Sequence, residues 1–94
     1  MEVVYEIKYH ELVVKKDIPK LSSSIQARIK RSIEDKLTSH PEIFGKPLKH
    51  SARGYRKLRV GDYRVIFRIN GEVINIFVIG HRSWIYESIE HRLP

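Results

Sequence analysis

Cysteine is absent from this 94-residue chain, which excludes disulfides and thiolate metal sites. Five histidines are scattered without metal-ligand spacing, so no zinc site is expected. Acids are scarce: 11 against 18 Lys and Arg, for a formal net charge of +7 and a pI near 9.9. No apolar run approaches the roughly 20 residues of a spanning helix. The start carries no signal-peptide pattern, because Glu2 and Glu6 interrupt Val3-Val4-Tyr5. A cytoplasmic protein is the expectation. There is no internal repeat, low-complexity tract or linker, and the length suits one domain with one small core.

What is present is concentrated charge. Between Lys46 and Arg68 stand eight Lys or Arg against one acid, Asp62, an excess equal to that of the whole chain. Such a surface suits nucleic acid or an acidic protein partner. Membrane is the weakest partner class, since these residues lie on strands rather than along an amphipathic helix. The stretch Gly54 to Arg68 reads as two strands joined by Gly61-Asp62, a two-residue hairpin loop with Gly first. In that register Val60 faces Tyr63, Arg59 faces Arg64, Leu58 faces Val65 and Lys57 faces Ile66. Side chains alternate across a strand pair. One face therefore carries Val60, Tyr63, Leu58, Val65 and Phe67, a core. The other carries Lys57, Arg59, Arg64 and Arg68 around Ile66 and Tyr55. No core accepts that many unpaired cations.

Taken in order, Val3 to Tyr9 reads as a first strand, and about Glu11 to Asp17 as a short helix ending before Pro19. Ser22, Ser23 or Ser24 can cap a second helix whose stripe of Ile25, Ile29, Ile33 and Leu37 is core. Pro41 to Arg53 reads as a connector with Ile43, Phe44 and Leu48 as anchors. Asn70-Gly71 predicts a second hairpin, with Phe67 facing Ile74, Val65 facing Ile76 and Tyr63 facing Val78. Phe77 and Ile79 then fall on the basic face. After Gly80 a short final helix begins. The order β-α-α-β-β-β-α implies an α+β, two-layer fold, with a mainly antiparallel four-stranded sheet packed on two helices. The sheet's other, basic face stays at least partly open.

On that face Lys57, Arg59, Arg64 and Arg68 offer phosphate ligands, with His81 and Arg82 arriving from the neighbouring strand. Tyr55, Phe77 and Trp84 are aromatics near the same surface, although Trp84 is read first as a packing anchor. If Arg82 and Tyr86 share a helix, their spacing puts them on one side of it. Basic residues with interleaved aromatics suit RNA better than duplex DNA, and no helix-turn-helix or zinc-finger spacing is present.

The run Lys57-Leu58-Arg59-Val60-Gly61-Asp62-Tyr63-Arg64-Val65-Ile66-Phe67, followed by Ile79-Gly80-His81-Arg82 and Tyr86, resembles the RelE/ParE superfamily of bacterial and archaeal toxins. For the RelE branch the resemblance implies a small ribonuclease that needs no metal or other cofactor. Such toxins cut mRNA in the ribosomal A site, against 16S rRNA, and are held inactive by a cognate, RelB-like antitoxin. The 2′-hydroxyl attacks the adjacent phosphate, giving a 2′,3′-cyclic phosphate and a free 5′-hydroxyl. Carried over by position, Lys57 and Arg64 match the pair that stabilises the phosphorane-like charge. Arg82 matches the residue assisting the leaving 5′-oxygen, and Tyr86 a tyrosine that orients the substrate. Lys49, Tyr55, Arg59, Arg68 and His81 are the accompanying RNA-binding candidates. Where the best-known RelE enzyme has a lysine as general base, this chain has Tyr55, leaving His81, Lys49 and His50 as alternatives. A ParE-like poison of DNA gyrase is the rival within the superfamily, and an inactive RNA- or partner-binding module is a third reading.

Overall fold

The computed structural model describes residues 3–49 and 54–94. Strand β1 (Glu6–Tyr9) begins three residues later than the apolar run implied, leaving Val3 and Val4 exposed. A π-type turn (Val13–Asp17) and a 3₁₀ turn (Ile18–Lys20) follow, the latter built around Pro19. Helix α1 (Ser23–Ser32) is capped by Ser22, whose Oγ accepts from the Ile25 N–H at 3.3 Å, satisfying one of the unpaired donors at a helix start. The helix runs on through a second π-type turn (Ile33–Leu37). Its stripe faces inward as the spacing predicted: Ile29, Ile33 and Leu37 are buried and Ile25 packs against them.

The segment read as a connector contains two elements of its own. A one-turn helix, α2 (Pro41–Phe44), starts at proline, whose missing N–H costs nothing there. A two-residue strand, β2 (Lys46–Pro47), then pairs antiparallel with β3 (Tyr55–Val60). Among the described residues the sheet therefore has five strands rather than four, in the order β1-β5-β4-β3-β2. Proline is tolerated in β2 because it is an edge strand. Two residues are too few for a periodic sequence signal.

The β3–β4 hairpin has the predicted register throughout, with β4 spanning Tyr63–Asn70. Gly61 adopts φ +59° in the loop, a conformation that costs glycine little. The β4–β5 pairing corrects the expectation twice. Asn70 pairs with Val73, so the loop is Gly71-Glu72, with Gly71 at φ +63° taking the strained position. A two-residue shift preserves the faces, and Phe67 meets Ile76 instead of Ile74. Between Ile66 and Phe67 the register then slips by one, leaving Phe77 as the extra residue of a β-bulge in β5 (Val73–His81). A one-residue slip exchanges faces. Ile79 consequently faces Val65 in the helix-side core, not the basic face, and Tyr63 faces His81 instead of Val78.

Helix α3 (Ile85–Arg92) crosses the sheet's second face and covers its centre, where Ile66, Val78 and Ile85 form a small core with Leu48, Ile89 and Leu93. The cations are left as a margin around it. Beyond His10, whose N–H donates to the Ile76 carbonyl at 2.8 Å, the chain no longer covers the edge of β5, whose polar groups need other partners. Asp17, 2% exposed, accepts from the Ile79 N–H at 2.9 Å. Arg92 grips the same carboxylate through Nη1 and Nη2, both at 2.9 Å, and donates to the Phe77 carbonyl at 3.2 Å. One buried ion pair thus ties α3 to the opposite layer around the sheet edge.

Candidate nucleic-acid interface

The basic face resolves into a recess and an outer shoulder. Phe44, Lys46, Lys57, Arg59, Arg64 and Tyr86 line the recess, which has a volume of about 230 Å³. Its floor follows from strand pairing. Arg59 lies opposite Arg64 across β3–β4, and Lys46 lies opposite Lys57 across β2–β3. Four cations therefore face one concavity, with no acid among the lining residues. Such a cluster is self-repelling unless an anion occupies it.

Each cation is held differently. The Lys57 ammonium lies 5.5 Å from the centre of the Tyr86 ring, a cation–π contact that places α3 at the rim. Arg64 donates through Nη1 to the carbonyls of Gly61 and Tyr63, both at 2.9 Å. This fixes the guanidinium while using one nitrogen of its planar fork. Arg59 is exposed. The structure thus brings together Lys57, Arg59, Arg64 and Tyr86 of the predicted set. Phe44 and Lys46 join them unpredicted as site residues. They come from α2 and β2, whose brevity hid them.

The remaining candidates lie elsewhere. Arg82 is outside the recess, at the hairpin tip, where its backbone N–H donates to the Asp62 carbonyl at 2.8 Å and its Nε approaches the Asp62 carboxylate at 3.4 Å. Both side chains are more than 60% exposed, and an open pair of this kind is worth about 0–1 kcal/mol. It does not lock Arg82 in place. His81 shares the face of Tyr63, with the two rings edge-to-face at 5.3 Å. Its Nδ1 accepts from the Ser83 N–H at 3.1 Å. It therefore turns away from the recess, because the bulge reversed the end of β5.

Tyr55 is 2% exposed, edge-on to Phe77 at 5.4 Å and under the Arg68 guanidinium at 5.1 Å. No base can stack on it in this arrangement, and Arg68 is what that shoulder presents. Lys49 is exposed and follows Leu48, whose N–H donates to the Tyr55 carbonyl at 3.0 Å, and His50 lies outside the described residues. Trp84 packs on Gly80 so closely that a Cβ there would be 2.1 Å from its ring, which makes it the anchor its sequence context suggested.

Comparison with known proteins agrees with this architecture. Residues 7–86 match the family described as the ParE toxin of the type II toxin-antitoxin system parDE. The chain is 32% identical over 73 residues to Toxin RelE of Mycobacterium tuberculosis (strain ATCC 25618 / H37Rv), an alignment covering 76% of this chain and 75% of that protein. A chain of the RelBE2 toxin-antitoxin complex from Mycobacterium tuberculosis superposes with a TM-score of 0.76 at 29% identity, over 86% of this chain and 94% of that one. A chain of the RelB-RelE antitoxin-toxin complex from Methanococcus jannaschii does so with a TM-score of 0.68 at 29% identity, over 84% and 94%. With the hairpin motif, the five-stranded sheet and these likenesses in agreement, the chain belongs to the RelE/ParE superfamily of type II toxin-antitoxin toxins.

Proposed function

We propose that this toxin is a metal-independent mRNA endoribonuclease that cuts in the ribosomal A site. A RelB-like antitoxin would neutralise it by covering the cationic recess. The observation that carries the reading is the convergence of Lys57, Arg59 and Arg64 with the ring of Tyr86 around one recess. In the reaction the 2′-oxygen attacks the adjacent phosphorus and loses its proton. The bond to the 5′-oxygen breaks, that oxygen takes up a proton, and a 2′,3′-cyclic phosphate remains. Negative charge grows on the non-bridging oxygens as the phosphorane forms. Fixed cations placed there stabilise the transition state more than the ground state. Lys57 and Arg64 take that role, with Arg59 and Lys46 holding flanking phosphates. Arg82, weakly paired to Asp62, can swing from the hairpin tip toward the leaving oxygen. Tyr86 orients the sugar-phosphate beside Lys57.

Primer extension on a message translated with and without the protein tests this, alongside Arg64→Ala. Cuts within codons that require translation and fall by about 10²–10³-fold in the variant would support it. Growth arrest with DNA breaks and no RNA cuts would instead favour the second reading, a ParE-like action on gyrase, which the match to the ParE toxin family keeps in play.

A further inference from the structure

The recess has an aromatic wall that the proposed reaction does not use. Phe44 is 41% exposed and faces the same concavity as Tyr86 across the floor formed by Lys57, Arg59 and Arg64. An exposed phenyl ring is ordinarily mobile, but the backbone that carries this one is held on three sides. The N–H groups of Phe44 and Gly45 donate to the carbonyls of His40 and Pro41, at 3.2 and 2.9 Å. Gly45 is pressed so closely on Phe67 that a Cβ would be 2.1 Å from its ring, and Arg56 Nη1 donates to the Gly45 carbonyl at 2.8 Å. The Lys36 ammonium lies over the Phe44 ring, 5.5 Å from its centre. A pre-placed aromatic beside a phosphate seat is what a nucleobase next to a bound phosphate needs, because stacking works best on a surface that does not have to be ordered first.

We infer that Phe44 is a base-stacking residue, receiving a nucleobase of single-stranded RNA whose phosphate rests on the Lys57–Arg59–Arg64 floor. Phe44 and Tyr86 then bracket the bound strand from α2 and α3. The inference rests on the reading of the recess as an RNA site, and it assigns Phe44 to positioning and affinity rather than to chemistry.

The test is binding of a short single-stranded RNA at low salt by fluorescence anisotropy, compared with the same RNA carrying one abasic nucleotide at each position in turn. The 94-residue chain should prefer one intact position by about tenfold. Phe44→Leu, which keeps an apolar side chain but removes the π-face, should abolish that preference while binding the abasic RNA unchanged. Phe44→Trp should restore it. A preference that survives in Phe44→Leu, or one that wild type never shows, overturns the inference and leaves the RNA reading standing. Failure of wild type to bind any of these RNAs overturns both.

Discussion

Glycine 80 shows how single atoms shape the surface beside the recess. It lies opposite Arg64, and the indole of Trp84 fills the space a side chain would take. Gly80→Ala should cost about 1–3 kcal/mol, since the ring must leave its seat. Because Trp84 is the chain's single tryptophan, its fluorescence spectrum should shift in the folded variant; an unchanged spectrum would refute the packing. Lys57 invites a different experiment. Lys57→Met keeps an unbranched side chain of similar length beside Tyr86 and deletes the charge. On the proposed ribonuclease mechanism, single-turnover cleavage should fall by about 10²-fold or more with little loss of stability. The charges of Lys57, Arg59 and Arg64 were legible from composition and alternation. The burial of Tyr55 was not, because it depends on Arg68 and Phe77 closing over it from two other strands.

At the level of elements, the Asp17–Arg92 pair links α3 to the turn that follows β1, and its partners are 75 positions apart. Removing one partner leaves a buried charge uncompensated. Asp17→Ala should therefore cost about 3–5 kcal/mol in denaturant unfolding. The double variant Asp17→Leu/Arg92→Met should cost less than that single change, and a strictly additive double would contradict the account. The approach of Tyr9 in β1 to the π-type turn that follows α1 adds a pH effect. Burial, and next the negative charge of Glu34, raise the Tyr9 phenol above its ordinary value of 10.0. With the folded value raised, the unfolded chain ionises first. The stabilising contribution is therefore whole below about pH 10 and is lost as pH rises through the raised folded value. Wild type and Tyr9→Phe should show parallel stability profiles up to that point, with wild type falling more steeply above it.

For the molecule as a whole, charge and shape act together. If the recess binds RNA as proposed, a chain of net charge +7 should show an affinity that falls linearly on a log–log plot against salt. Arg59→Ala should reduce that slope by about 0.7 for a single strand, whereas Glu72→Gln, in the β4–β5 loop at the far end of β4 from Arg64, should leave it unaltered. By itself the sequence determined the order of the longer elements, though not α2 or β2, together with the helix stripe and the β3–β4 register. Each is written in local periodicity or in a turn whose glycine admits few alternatives. It also determined that Lys57, Arg59, Arg64 and Arg68 share one face, since alternation along paired strands permits nothing else. Tertiary structure decided the rest: the bulge at Phe77 that exchanged Val78 with Ile79 and turned His81 away, the ion pair that anchors α3, and the entry of Phe44 and Lys46 into the recess. Those outcomes depend on contacts between segments far apart in the chain, whose energies no local pattern records.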